Sequence, residues 1–130
     1  MFRYTARGYY TIMRQTGLVE KGWGNELIWV TNDKYCSKFL IFKKGCKFSM
    51  HFHAVKEETW YIMSGKFELI WIDTKTAKTH YVILKKDDIW TNKPLMPHQI
   101  ICLKSGTILE ASMPDSVEDN YRIIPGDSQR

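Results

Sequence analysis

The sequence predicts an all-β domain, an antiparallel sandwich or barrel, and three observations carry that prediction. Runs of about six β-branched and aromatic residues recur along the chain, each followed by a polar or glycine-bearing break. No stretch keeps a helical period. No internal repeat, low-complexity tract or proline- and serine-rich linker interrupts the pattern. Many short strands at close spacing in 130 residues describe a two-sheet fold.

Taken in order, strands are expected at 25–30 and 35–42, divided by the polar 31–34. In the second of these, Phe39 and Ile41 share one parity and Leu40 and Phe42 the other, so both faces are expected to be covered. A break at 43–45 precedes a strand at 48–53. Strands at 59–64 and 66–73 follow, then one at 79–85 beyond the turn at 74–78. The short 89–92 comes after the break at 86–88, and 99–103 and 107–113 flank the turn at 104–106. A strand at 120–123 ends the series, and residues 1–17 carry the weakest pattern.

A 15.4 kDa chain is one domain's worth of protein. It divides into an arm at 1–20, a barrel at 21–124 and a tail at 125–130. The net charge is +5 and unevenly placed: 1–47 hold nine basic and three acidic residues, whereas 105–130 hold two and five. The lysines are mostly single, without an arginine-rich stripe or an aromatic RNA-binding motif, so a solvated basic face is expected rather than a nucleic-acid surface. No apolar stretch approaches the roughly 18 residues of a membrane span, and no apolar run follows the early arginines as a signal peptide requires. Cys36, Cys46 and Cys102 are odd in number and lack CxxC spacing, which suits reduced, mostly buried thiols and a cytoplasmic location.

Residues 45–65 carry the chemistry. Side chains alternate along a strand, so His51 and His53 share a face and can share one ion. Phe48, Met50 and Phe52 then point the other way, toward a second sheet. A turn at 54–56 returns the chain, so that Glu58 can meet the imidazoles from the neighbouring strand. Glu57 competes for that role, but adjacent strand residues face opposite sides and only one fits. Pro97 fixes the backbone just before His98. Three imidazoles and a carboxylate suit a borderline divalent metal with positions left open. His80 lies in a separate strand and reads as a surface residue; Trp29, Trp60, Trp71 and Trp90 read as core or cavity wall.

These residues resemble the cupin superfamily, whose first motif is G-x5-H-x-H-x3,4-E-x6-G. Gly45, His51, His53, Glu58 and Gly65 match each fixed position, and the six-residue spacing to Gly65 selects Glu58 as the carboxylate ligand. The second motif, G-x5-P-x-G-x2-H-x3-N, is matched by His98 alone. Asp87, Lys93, Leu95 and Cys102 replace the glycine, proline, glycine and asparagine. Leucine disfavours left-handed backbone, so the loop before His98 is expected to take a different path. The resemblance implies an antiparallel double-stranded β-helix, a jelly-roll barrel, holding one divalent metal (Zn, Mn, Ni or Fe) on His51, His53, Glu58 and His98.

The stretch from Lys21-Gly-Trp-Gly-Asn to Glu26 and the closing Glu118, Asp119 and Arg122 are similar to the cupin domains of type II phosphomannose isomerases. That similarity implies a sugar or sugar-phosphate isomerase. A bound ion would bridge a carbonyl and its neighbouring hydroxyl, while a base moves a proton between adjacent carbons. Glu57, Lys56, Tyr61 and His80 are the base candidates, and Lys47 or Arg122 would receive a phosphate. Two other readings share the donor set: a metal-dependent dioxygenase and a non-catalytic carbohydrate- or small-molecule-binding cupin. A homodimer is expected through an outer sheet, with Tyr4, Tyr9 and Tyr10 of the arm extending a partner's sheet.

Overall fold

A computed structural model describes residues 17–130, so Tyr4, Tyr9 and Tyr10 lie outside the described residues. Eleven strands run β1 (Gly17–Lys21), β2 (Gly24–Thr31), β3 (Cys36–Phe42), β4 (Met50–Phe52), β5 (Glu58–Ile62), β6 (Lys66–Asp73), β7 (Lys78–Lys85), β8 (Ile89–Asn92), β9 (His98–Lys104), β10 (Gly106–Ser112) and β11 (Tyr121–Ile124). Two single turns of 3-10 helix, Val117–Asp119 and Asp127–Gln129, complete the described chain. A six-stranded sheet, β1-β2-β3-β10-β5-β8, faces a five-stranded one, β11-β4-β9-β6-β7, with every pairing antiparallel. From β3 onward successive strands alternate between the sheets except at the β6–β7 hairpin, which stays within the five-stranded sheet, and that crossing back and forth makes the sandwich a jelly roll.

All ten expected strands are present, with ends shifted by a few residues. β1 was not read from the sequence: it falls across the boundary of the 1–20 arm and is hydrogen-bonded to β2. The tail folds back as well, since Ser128 Oγ accepts the Gly22 amide at 3.0 Å and the Asp127 carboxylate accepts the Lys47 amide at 2.7 Å.

The core lies between the sheets. Trp23, Leu40, Phe42, Phe48, Trp60, Ile62, Phe67, Leu69, Leu84, Ile100, Cys102 and Ile108 form one cluster. Phe42 stacks on Trp23 at 4.4 Å and meets Phe67 edge-on at 5.3 Å. Even-numbered residues of β3 point inward: Leu40 and Phe42 are buried, whereas Ile41 is exposed and Phe39 only half-buried against Trp29. The expectation of a strand covered on both faces is therefore corrected: the outer face is covered only in part, by Trp29 over Phe39, and Ile41 is exposed.

Positive φ marks turns at both ends of the barrel. Gly65 turns between β5 and β6 with φ +85°, and a side chain there would put its Cβ 2.7 Å from Gly106 Cα. The backbone keeps the path that glycines would take at both places: Asp87, in the turn between β7 and β8, has φ 74°, and Leu95, in the loop between β8 and β9, has φ 66°. The different path expected from Leu95 is thus not taken. The backbone strain is offset locally, since the Leu95 amide donates to the His53 carbonyl at 2.7 Å and ties the loop to β4's end.

Candidate metal centre

β4 and β9 are neighbours in the five-stranded sheet, and His51 is paired with His98 across them. Glu58 opens β5, which belongs to the opposite sheet, so the carboxylate reaches the imidazoles across the barrel interior. The expected approach from a neighbouring strand is corrected on this point. Strand order in a jelly roll, not closeness in sequence, decides which sheet β5 joins. Phe48 also departs from expectation. Regular β4 begins only at Met50, so alternation does not reach back to Phe48, whose ring turns into the core against Trp60 and His51. Phe52 stacks on Tyr121 of β11 at 5.0 Å.

The donor atoms of His51, His53, Glu58 and His98 all lie within 4.8 Å of one another. Metal–donor bonds of roughly 2.0–2.2 Å put opposite ligands about 4.4 Å apart, so the cluster needs to close by only a few tenths of an ångström. Each imidazole is oriented by its Nδ1. His51 Nδ1–H donates to the Ser49 carbonyl at 2.7 Å, His53 to Asp119 at 2.6 Å and His98 to Met96 at 2.9 Å. That arrangement leaves three Nε2 lone pairs free, the tautomer a metal needs.

His98 Nε2 is buried without a hydrogen-bond partner, although Glu58 Oε1 stands 2.8 Å away. With Nδ1 carrying the proton, these are two facing acceptors, and a cation between them resolves the conflict. The residues present fit a divalent metal on this ground.

Electrostatics agree. Burial, with the neighbouring His98, brings His51 down to about 3, so its ring stays neutral. Burial lowers His53 as well, against the pull of Asp119 and Glu58. For Glu58 burial opposes ionisation, but the Lys56 ammonium at 3.3 Å pulls the other way, and the carboxyl is held below its usual range. Its Oε1 also accepts Asn92 Nδ2 at 3.3 Å, and Asn92 in turn accepts the Trp90 indole at 2.8 Å. Asp119 fixes the turn after β4: its carboxylate accepts the amides of Ala54, Val55 and Lys56 at 2.7, 3.2 and 2.9 Å.

A cavity of about 300 Å³ opens beside the cluster. Its wall includes Lys38, Lys56 and Glu110 deep inside, and Asp115, Arg122 and Gln129 nearer the mouth. Sequence reasoning missed Lys38 and Glu110. Their signal was present: each is a charged residue at the inward parity of an otherwise apolar strand, Lys38 beside Leu40 and Glu110 beside Ile108.

The other sequence candidates scatter. Lys56 lines the cavity, but its ammonium is paired with Glu58 at 3.3 Å and Glu110 at 3.4 Å. Burial disfavours its charge, yet Glu110 and Glu58 raise its proton affinity, so it is a cation and not a base. Glu57 faces out and pairs with Lys93 at 2.7 Å. Tyr61 is on the outer face, donating to Asp87 at 2.6 Å. His80 is half-buried rather than a plain surface residue, stacked at 4.4 Å on Trp71 of the adjoining strand and outside the cavity wall. Arg122 lines the cavity and Lys47 does not. Cys36, Cys46 and Cys102 are free thiols. Among the described residues no helix is long and apolar enough to cross a membrane.

Fold and donor set define the class: a cupin-type jelly-roll barrel with a donor set for one divalent cation. No protein-family model and no curated protein matches the sequence, but solved structures match the fold. An oxalate decarboxylase of Bacillus subtilis superposes on 84% of this chain with TM-score 0.72 and 19% identity. CapF bound to the inhibitor 3-isopropenyl-tropolone covers 87% with TM-score 0.75 and 15% identity. The capsular polysaccharide assembling protein CapF from Staphylococcus aureus covers 82% with TM-score 0.73 and 16% identity. The present chain spans 30%, 35% and 31% of those chains.

Proposed function

We propose that this protein is a metal-dependent cupin enzyme acting on a sugar or sugar phosphate, with aldose–ketose isomerisation as its reaction. The observation that supports it most is the buried, unpartnered His98 Nε2 facing Glu58, with two further oriented imidazoles beside a polar cavity. When bound, a divalent ion supplies Lewis-acid polarisation of a carbonyl and steadies the charge that develops on its oxygen. Glu110 lines the cavity beside the cluster, and a carboxyl there would carry a proton between adjacent carbons. Arg122 lines the same cavity and adds a positive charge to its wall, which suits a phosphorylated substrate. The likeness of the Lys21–Glu26 and Glu118–Arg122 stretches to type II phosphomannose isomerase cupins points to the same class.

The test incubates metal-loaded protein with mannose 6-phosphate and with fructose 6-phosphate. Interconversion that disappears on chelation supports the reading, and none above a metal-free blank overturns the substrate. Dioxygen uptake by the iron-loaded protein would instead favour an oxygenase.

The active form is a homodimer joined through the outer face of the six-stranded sheet. Leu27, Phe39, Leu109, Tyr61 and Ile89 are consecutive cross-strand partners on that face and make one apolar row across five strands. A monomeric mass by light scattering at micromolar concentration would count against the dimer.

A further inference from the structure

Two lysines stand inside the cavity with side chains only 7% and 6% exposed. Lys38 Nζ lies 3.2 Å from Glu26, 3.7 Å from Glu110 and 2.7 Å from Asp115 Oδ2. Lys56 Nζ contacts Glu58, Glu110 and the other oxygen of Asp115. One carboxylate therefore bridges two ammonium groups, with one oxygen to each.

The acids around these lysines differ in kind. Glu26, Glu58 and Glu110 sit on β2, β5 and β10, held by ladder hydrogen bonds on rigid backbone. Asp115 sits in the irregular segment between β10 and the turn at Val117–Asp119, with a side chain 45% exposed. It is the partner that can swing into solvent without breaking a strand, and it gives up little burial by doing so. Its withdrawal leaves an oxyanion-sized position flanked by two buried cations, a few ångströms from Glu58 and open to the same cavity. The lysines keep Glu26, Glu58 and Glu110 as partners, and the one contact on each ammonium that Asp115 gives up is left for an incoming anion.

We propose that Lys38 and Lys56 form an anion subsite, closed here by the Asp115 carboxylate, which receives the carboxylate or phosphate group of a ligand whose other end reaches the four-donor cluster. Only that last clause rests on the metal reading. The subsite itself needs no metal, so its test is run on metal-free protein. An incoming carboxylate takes over Asp115's two contacts, and phosphate offers the same oxygens with a larger charge.

The experiment is calorimetric titration of the full chain, dialysed against chelator, with malonate and separately with inorganic phosphate. Asp115→Asn keeps the shape of the segment and removes the competing charge. It should tighten binding of at least one probe by about tenfold or more, and the probe that gains more identifies the ligand's anionic group. Unchanged or weaker binding of both probes in Asp115→Asn overturns the proposal. Adding Lys38→Gln to that variant should abolish the gain, and a gain that persists in the folded double variant places the anion elsewhere and overturns it too. Should the double variant fail to fold, hydrogen exchange on the unmodified protein decides. Saturating probe should speed exchange of the amides at 115–117 by freeing the Asp115 segment, and no change there overturns displacement. A probe that binds only after metal loading, equally in wild type and Asp115→Asn, overturns the subsite and leaves the metal reading standing.

Discussion

The two ends of the barrel interior are built on the same strands yet are different solvents. In the six-stranded sheet Ile62, Ile108 and Leu40 form one cross-strand row; the next inward row along the same strands is Trp60, Glu110 and Lys38. In the facing sheet Leu84, Phe67 and Cys102 are partners, and two steps of two residues along β6 and β9 lead to Trp71 and His98, with His51 beyond. Hydrocarbon thus gives way to ionised groups within a few residues. The apolar end stabilises: full burial of a side chain such as Phe67 or Ile108 is worth about 1.5–3 kcal/mol. The charged end is costly to desolvate, and replacing such groups by packed hydrocarbon is often neutral or stabilising. A sandwich that keeps Lys38, Lys56, Glu58 and Glu110 inside carries their desolvation cost, and the stability that offsets it is supplied by the other end of the same strands.

Breaking each end in turn separates the two roles. The largest effect is expected from the ligands. His51→Ala or His98→Ala should lower metal affinity by several kcal/mol, on the order of a third of the roughly 10–16 kcal/mol of a full structural site. Metal content after dialysis should fall to background while circular dichroism stays β-like; full occupancy in both would make the cluster ornamental. Next comes Phe67→Ala at the apolar end, with a loss of about 3–5 kcal/mol in urea unfolding and no change in metal stoichiometry. A Phe67 variant that loses metal but not stability would erase the distinction between the ends.

A smaller effect is in pH. His51 sits at about 3 in the folded protein against an ordinary 6.5, because burial and His98 disfavour its charge. The unfolded chain takes up that proton and the folded one does not, so this stability is complete above 6.5 and is lost as pH falls toward 3. The lowered Glu58 works in the same direction below its ordinary 4.5. Glu110, raised by burial and by Glu58's charge, works oppositely, adding stability at low pH that is lost as pH rises through its shifted value. Urea midpoints of metal-free protein should therefore fall less steeply on acidification in His51→Ala than in wild type; parallel profiles would remove the assignment. Smallest is Glu57→Ala, which breaks only the exposed pair with Lys93. It should keep metal and change stability by less than about 1 kcal/mol, whereas Glu58→Ala should lose metal.

Much of the fold was legible because strand rules are local. β-branched runs and polar breaks located all ten expected strands, and strand alternation put His51 and His53 on one side. β1 was missed because its pattern, Gly-Leu-Val-Glu-Lys, is short and mostly exposed, so it carries no alternation. The loop before His98 was misjudged because propensity speaks for the free residue. The amide of Leu95 is claimed by the His53 carbonyl, and that tertiary hydrogen bond outweighs the preference of leucine.

The sequence by itself determined the all-β class, the strand series and the shared face of His51 and His53, since residue type and two-residue periodicity act over a few residues, while Glu58 and His98 were singled out by the resemblance to the cupin motifs. Which sheet each strand joins was decided only in the tertiary structure, because pairing partners lie tens of residues apart. That choice brings Glu58 across the barrel to the histidines and turns Lys38, Lys56, Glu110 and Asp115, unremarkable as single charges, into one buried network. A charge on an apolar strand announces burial, but its partners are set by the register of β3, β5 and β10, and register is a property of the assembled sheet.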